Sequence, residues 1–532
     1  MRGFVNDTIR FVIARAILLL GVLLELRQRV RIRRFAANQR RLRRRYRLQV
    51  DTPVVSYGPR VVESIRHAAA RAASDARFAM TSGSTGEPKK ILYTTRRLRN
   101  LKFTFSDMFA RAVRAYRLKD TSLYVFSSFH QDTSLTSMLL NETKLPPYLS
   151  TLQAAYRVQQ HPVVRALAAE YGPAAVRLWI LTIANPAVLY ATNPSTISNF
   201  FDELTTSWAT SSKLVRDWYE RPQHFDPKLR HIAKRIDSRR SNERLSLVAT
   251  SDDPVEVRQF APAVCAYICW TGGYVKPFLD RLATHLPAAR YRLIPMYSMS
   301  TETVETETVF RNGDIHFLPL AGDVVYEFIH ENADDSPQNL LIRQELTPGE
   351  TYAMVVTDNY GLRRYQTGDL FLCRRREVNG LPDLAFVRRR ALEYSFIGEK
   401  VTAEQLAVVF NHLRSQHFET LSDGFLTCVP SLPRNGNPHY KFVLIRDSEC
   451  RIRADLMASR CDQLLSQLNC EYNNKRLLGL LAPARFIQAT PSTFAQRFAG
   501  SWETQFKFLP LYRQTWESLC SSSERFKQFA VS

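Results

Sequence analysis

Up to about residue 300, apolar positions recur along this chain in two alternating rhythms. Residues 61–75 carry helical spacing and are followed by "ARFAM", a short strand pattern. After "KKILYTT", a long helical pattern runs from about Thr95 to Leu118, and "TSLYVFSS" reads as a strand. Further on, "LWILTIANP" and "VCAYICWTGG" read as buried strands that end in loops. Alternation of this kind predicts an α/β domain with at least one mixed sheet. From about residue 312 the rhythm shortens. "DIHFLPL", "DVVYEFIHE", "TYAMVVTD" and "GDLFLCRRR" are short strands with turns between them, a β-rich subdomain on the large domain. A new unit begins near 388–398 and runs through "GFLTCVP", "HYKFVLIRD" and a helix near 454–476. The pattern predicts a basic N-terminal helix region over 1–50, a large domain over 51–390 and a smaller, mobile α+β domain over 391–532.

Composition changes this picture in one place. The 532 residues are 45% hydrophobic and 23% charged, an ordinary globular balance, and too many for a single core. The net charge of +23 is concentrated at the start. Residues 1–47 hold fourteen arginines against Asp7 and Glu25, a net +12. The most apolar run, Phe11 to Leu24, is fourteen residues long and contains Arg15. A membrane span needs roughly 18–20 apolar residues, and a secretory signal needs a small-residue cleavage site where this chain has Glu25 and arginines. Three readings of the segment stay open: a docked helix with a solvated basic face, peripheral contact with anionic lipid, and nucleic-acid binding. Eight cysteines without a C-x-x-C pair suit reduced thiols in the cytoplasm, and eleven histidines without H-x-x-x-H or H-E-x-x-H give zinc little support.

The candidate chemistry starts at "TSGSTGEPKK", Thr81 to Lys90. A strand, a Gly/Ser/Thr loop and a lysine make a phosphate-cradling design, because glycines let backbone N–H groups converge on one anion while hydroxyls and lysine add donors and charge. The loop fails the G-x-x-x-x-G-K-[ST] pattern, since Gly86 is followed by Glu87, Pro88 and Lys89, and it fails the G-x-S-x-G elbow. On these residues alone, a solvated polar turn stays open.

The loop resembles the [ST]-S-G-[ST]-[ST]-G-x-P-K signature of the adenylate-forming superfamily, and three further segments follow in that family's order. "CWTGGYVKPF" resembles its adenine loop, "MYSMSTETVE" its Y-x-[ST]-[ST]-E segment and "GLRRYQTGDLF" its Y-R-x-G-D segment. "ATNPSTISNFFDEL", "LPDLAFVRRR" with "GEKVTAEQL", "NPHYKFVLIRD" and "LNCEYNNKRLLGLLAP" narrow the resemblance to the Gretchen Hagen acyl acid–amido synthetases over about residues 75–515. The resemblance implies a ligase that uses ATP and Mg²⁺ to turn a carboxylic acid into an acyl-adenylate and then joins it to an amine, usually of an amino acid. Transfer to coenzyme A or a carrier thiol is the alternative, and a membrane-associated adapter without turnover is a second.

The resemblance also assigns roles. Ser82, Gly83, Ser84, Thr85, Gly86 and Lys89 would cradle the ATP phosphates, with Thr85 also toward the metal. Gly272 and Gly273 would let backbone approach adenine. Ser300, Thr301 and Glu302 would line the reacting phosphate, with Glu302 the Mg²⁺ ligand and Glu305 and Glu307 the acidic neighbours that could be mistaken for it. Asp369 would bind the ribose, with Arg388 at the hinge reaching toward it. Lys507, in "TQFKFLPLY", would be the mobile catalytic cation of the small domain. Three positions depart from the pattern. Ser298 stands where an aromatic is expected, with Tyr297 one place off. Gln366 replaces a common arginine, and Phe508-Leu509-Pro510 follows Lys507. His130 and Trp270 read as structural residues rather than as acyl-pocket or stacking groups.

Overall fold

A computed structural model of the chain describes residues 2–80, 89–127, 129, 135, 158–272, 275–311, 313–378, 380–390, 393–397, 399–417, 421, 424–433, 436–446, 452–490, 493–494, 509–512 and 515–517. It divides into two compact units. The first holds Met1–Ala79, Ile91–Thr367 and Phe371–Ala385; the second holds Met80–Lys90, Gly368–Leu370 and Phe386–Ser532.

Helix α1 (Arg2–Arg45) is continuous and belongs to the first unit; α2 (Pro59–Ala72) and α3 (Thr95–Tyr116) follow. No described helix is long and apolar enough to cross a membrane. Leu24, Ile32, Phe35 and Leu42 form the buried side of α1. The helix crosses α3 closely at Gly21, where a Cβ would lie 2.8 Å from the Ala110 carbonyl oxygen, so only glycine fits that crossing. Polar groups on the same side are partnered. Arg31 donates to both Glu307 carboxylate oxygens at 3.0 and 2.5 Å, and Arg43 pairs with Glu327 at 3.1 Å.

The strands β1 (Arg77–Met80) and β2 (Lys90–Tyr93) pair around the Gly/Ser/Thr loop. A parallel sheet follows, made of β3 (Leu123–Val125), β4 (Val188–Tyr190), β5 (Ala266–Trp270) and β6 (Arg292–Met296) in chain order. Register aligns Tyr124, Leu189, Tyr267 and Leu293 across one face, where they share a core with Trp179, Ile180 and Phe200. The other face carries Tyr190, whose ring lies 4.9 Å from Phe105 of α3. Helices therefore cover both faces, as parallel sheets require.

One expected strand is a helix. "LWILTIANP" falls in the helix Pro173–Ala184, buried from Ala174 to Ala184 except at Arg177. A run that is apolar on every side carries no period to separate strand from buried helix. Pro173 in the first turn and Asn185 in the left-handed region (φ 45°) at the end settle the local choice.

The β-rich part comprises the antiparallel pair β7 (Glu307–Arg311) and β8 (Asp314–Leu318) and a four-stranded sheet. That sheet contains β9 (Val325–His330), β10 (Thr351–Thr357), β11 (Tyr365–Val378) and β12 (Leu381–Arg389), ordered β12-β11-β10-β9. The fully buried Asp383 of "LPDLAF" ties this sheet to β8, accepting from the Phe317 amide at 2.9 Å and Arg374 at 2.7 Å and meeting His316 Nδ1 at 3.0 Å. Gly361 opens the "GLRRY" segment with φ +106°, and a Cβ there would sit 2.6 Å from Ile65 Cα. On the outer edge of β9, where Phe328 bridges Leu341, the Gln39 side chain of α1 donates to the Val324 carbonyl at 2.8 Å and accepts from the Tyr326 amide at 3.1 Å.

In the second unit, β13 (Glu393–Tyr394) pairs with β14 (Val401–Thr402), and β15 (Phe425–Ser431), β16 (His439–Ile445) and β17 (Arg485–Ala489) form a mixed sheet. The expected helix near 454–476 is two helices, Ala454–Leu468 and Cys470–Leu477, because Asn469 breaks the first and caps the second, accepting from the Tyr472 amide at 2.9 Å. Thr402 and Gln405 of "VTAEQL" form a capping box on the helix Ala403–Gln416. The described cysteines carry free thiols, and Cys470 is exposed.

Asp462 anchors the two helices. It accepts from Tyr472 Oη at 2.6 Å, from Arg476 Nε at 2.9 Å and from the Ala484 amide at 3.0 Å. Burial works against its charge, but the hydrogen bonds from Arg476, Tyr472 and Ala484 outweigh burial and hold the carboxyl below its ordinary pKa. A folded-state pKa below the unfolded one stabilises the fold above about pH 4, and that gain is lost as pH falls through the folded value. Asp462→Asn should therefore be less stable than wild type at pH 7, and the difference in urea midpoint should close as the pH is lowered past about 4.

Candidate active site

Parallel strands deliver their following loops to one edge of a sheet, where α/β proteins bind ligands. Trp270 at the end of β5 pairs with Met296 at the end of β6, so Gly272 and Tyr297-Ser298 leave the sheet side by side. The segment after β6 doubles back at once. The Ser298 carbonyl accepts from the Glu305 and Thr306 amides at 3.1 Å each, Met299 bridges Val304, and the Ser300 amide donates to the Thr303 carbonyl at 3.0 Å. This places Ser300, Thr301 and Glu302 together in one tight turn.

The turn is braced from below. Tyr93 of β2 donates to the Thr301 carbonyl at 2.6 Å, and the Arg97 guanidinium of α3 donates to the Glu302 carbonyl and to the Leu92 carbonyl at 2.7 Å. Arg97 lies between the Tyr93 and Tyr360 rings, 4.7 and 4.6 Å from their centroids, and 3.2 Å from the Asp358 carboxylate. Burial pushes the Tyr93 hydroxyl far above its ordinary pKa, so it stays a donor. The Glu302 carboxylate is 2% exposed and receives Tyr365 Oη at 3.3 Å, whereas Ser300 and Thr301 remain half-buried. The neighbouring acids are committed elsewhere: Glu305 accepts from Ser298 Oγ at 2.6 Å and Glu307 binds Arg31. Ser298 thus points inward and Tyr297 is buried, so no aromatic from these two positions is left exposed beside the turn. Trp270 is partly exposed at its strand end.

The second unit holds Lys89, Asp369 and Arg388. Asp369 is buried and accepts from Arg389 Nε at 2.8 Å, while Arg388 pairs with Glu393 at 3.5 Å. The reason is the pleat: successive strand residues face opposite sides, and the arginine three places after Phe386 is the one turned toward Asp369. Ser82, Gly83, Ser84, Thr85, Gly86, His130, Gly273 and Lys507 lie outside the described residues.

Arg97 and Asp358 were missed in the sequence. Arg97 sits in "TTRRLRN" among Arg96 and Arg99, where it reads as one more solvated arginine; the signal was its place beside Leu98 and Leu101 on the apolar side of the helix.

Comparison with known proteins decides the family. The model of the GH3 family N-terminal domain matches residues 75–290, and that of the GH3 family central domain matches residues 317–389, together more than half of the chain. The chain belongs to the GH3 family. Two Arabidopsis thaliana relatives are an indole-3-acetic acid-amido synthetase, GH3.3, 22% identical over 280 residues (46% of this chain, 45% of the relative), and its counterpart GH3.4, 22% identical over 293 residues (50% and 48%). The match thus spans about half the length of these relatives. Among solved structures, the GH3.15 acyl acid amido synthetase superposes with a TM-score of 0.61 at 17% identity, covering 88% of this chain and 86% of that one, which establishes a common fold. Within this GH3 chain, the N-terminal match contains Ser82 to Gly86 and Gly272, and the central match contains Asp358, Asp369 and Arg389. Glu302 falls between the two matches.

Proposed function

We propose that this GH3-family protein is an ATP-dependent ligase that activates a carboxylic acid as its acyl-adenylate and passes the acyl group to an amine, that of an amino acid. The observation that carries this reading is the braced turn at the sheet edge, which combines the half-buried Ser300 and Thr301 with a buried carboxylate beside a glycine-bearing loop. A carboxylate oxygen of the acid attacks the α-phosphorus and pyrophosphate leaves; the amine then attacks the acyl carbon and AMP leaves. Two anions must meet in the first step, so oriented donors and positive charge are what the site has to supply.

Ser300 and Thr301 would offer hydroxyl donors to the reacting phosphate. Asp369, set in place by Arg389, would accept from the ribose hydroxyls. The loop Ser82–Gly86 with Lys89 would hold the remaining phosphates, and Lys507 would bring its charge to the acyl and phosphoryl oxygens. One buried carboxylate fits Mg²⁺, which takes one or two carboxylates and completes its shell with phosphate oxygens and water. Glu302 and Thr85 would hold the ion, which when bound neutralises phosphate charge. ATP and reduced thiols coincide in the cytoplasm, which suits this chemistry.

The test is exchange of labelled pyrophosphate into ATP, screened over aryl, indolyl and fatty acids. Exchange that depends on one class of acid is expected, and Lys507→Ala should reduce it by about two orders of magnitude or more while circular dichroism stays unchanged. No exchange with any acid would reject the reading. Incubation with hydroxylamine, amino acids and coenzyme A then identifies the acceptor; a thioester product would replace the amine in this proposal.

A further inference from the structure

We infer that α1 is a docking helix for an anionic bilayer surface, lying in the plane of the leaflet along its outward face. At 100° per residue, Val12, Leu19, Leu23, Leu26 and Val30 fall within about 60° of arc on one line. All five are exposed, Leu19 by 71% and Leu23 by 64%. The side of α1 that packs on the protein is a different one, marked by Leu24, Gln28, Ile32 and Phe35. The core therefore explains none of the outward leucines.

The same line continues beyond Val30 in a different chemistry. Arg33, Arg34, Arg41 and Arg44 are exposed along it, with Ala37 between them. Arg15 and Arg27 flank the apolar part, and Arg27 also lies over the Phe103 ring at 4.4 Å. One rigid rod thus presents about 27 Å of hydrocarbon followed by a guanidinium cluster. Inward arginines such as Arg31 and Arg43 are matched by buried glutamates, whereas among the described residues the outward Arg41 donates only to Asn38 of its own helix, at 2.7 Å, so its charge meets no carboxylate there. An anionic leaflet satisfies both halves at once: side chains of the stripe enter the acyl boundary while the arginines meet headgroup phosphates. A nucleic acid would match the arginines and leave the leucines in water.

The experiment is co-sedimentation of the full chain with vesicles of pure phosphatidylcholine and with vesicles containing about 30% phosphatidylserine, at low and at 0.5 M salt. Binding to the anionic vesicles alone, weakened by salt, is expected. Neutralising Arg33, Arg34, Arg41 and Arg44 together to glutamine should lower the partition coefficient at least about tenfold. Leu19→Asp with Leu23→Asp should lower it similarly and leave thermal unfolding and pyrophosphate exchange unchanged; Leu19→Ser with Leu23→Ser serves if the aspartates disturb folding. Binding that survives both sets of changes, or equal binding to neutral vesicles, overturns the proposal. So does duplex DNA binding lost in the arginine variant without vesicle binding, which would assign the helix to nucleic acid. A solution dimer dispersed by the leucine variant, again without vesicle binding, would assign the stripe to a second copy.

Discussion

Replacing Arg97 by methionine will lower the unfolding free energy by about 3–5 kcal/mol, the usual cost of stranding one member of a buried ion pair. Methionine fills most of the slot between Tyr93 and Tyr360 but leaves the Asp358 carboxylate buried without its cation. Burial already pushes the Asp358 carboxyl up, and Arg97 is the chief opposing influence. In the variant this pKa rises further. A raised acid pKa costs its full amount above the folded value, and the cost shrinks as pH falls from there toward the ordinary carboxylate value. The gap between wild type and Arg97→Met in urea unfolding should therefore narrow as pH is lowered from 7 toward 5. Arg97→Met with Asp358→Asn should recover much of the loss, because the stranded charge is gone. Equal midpoints for wild type and the single variant would show that the pair contributes nothing.

Glu302→Gln should reduce acid-dependent pyrophosphate exchange by about 10²–10³-fold, the scale on which a single electrostatic contribution at a transition state is lost. The amide keeps the volume and can still accept from Tyr365 Oη, so unfolding should change little. The two nearby glutamates give the contrast. Glu305→Gln weakens the bond to Ser298 and Glu307→Gln the pair with Arg31, so both should act first on stability. If all three substitutions depress exchange equally, Glu302 has no special role.

Much of the architecture was legible from pattern alone. The short strands after residue 312 and the long helix after Thr95 carry clear periods and lie where their periods put them, and the uniformly apolar run ending in "CWTGG" is the buried strand that it was read as. The helix Pro173–Ala184 did not, because complete burial erases the period. Motifs were legible as strings before they were legible as structure. In "LNCEYNNKRL", Asn469 caps a helix while Tyr472 and Arg476 hold Asp462, so the string records a structural knot. In "LAFVRRR", three adjacent arginines hide which one turns inward, and only the strand's pleat selects Arg389 for Asp369. Arg97 and Asp358 lie 261 positions apart in the chain; no local signal joins them, and the fold alone makes them a pair.

Gln39 satisfies one carbonyl and one amide at the start of the β9 edge, and Arg31 and Arg43 balance two nearby carboxylates. The arginine-rich segment looks dispensable on paper, yet a chain shortened to begin after it would uncover the Val324 carbonyl and the Tyr326 amide and leave Glu307 without its cation and Glu327 with Arg364 alone. What reads as a tag is the lateral seal of the sheet.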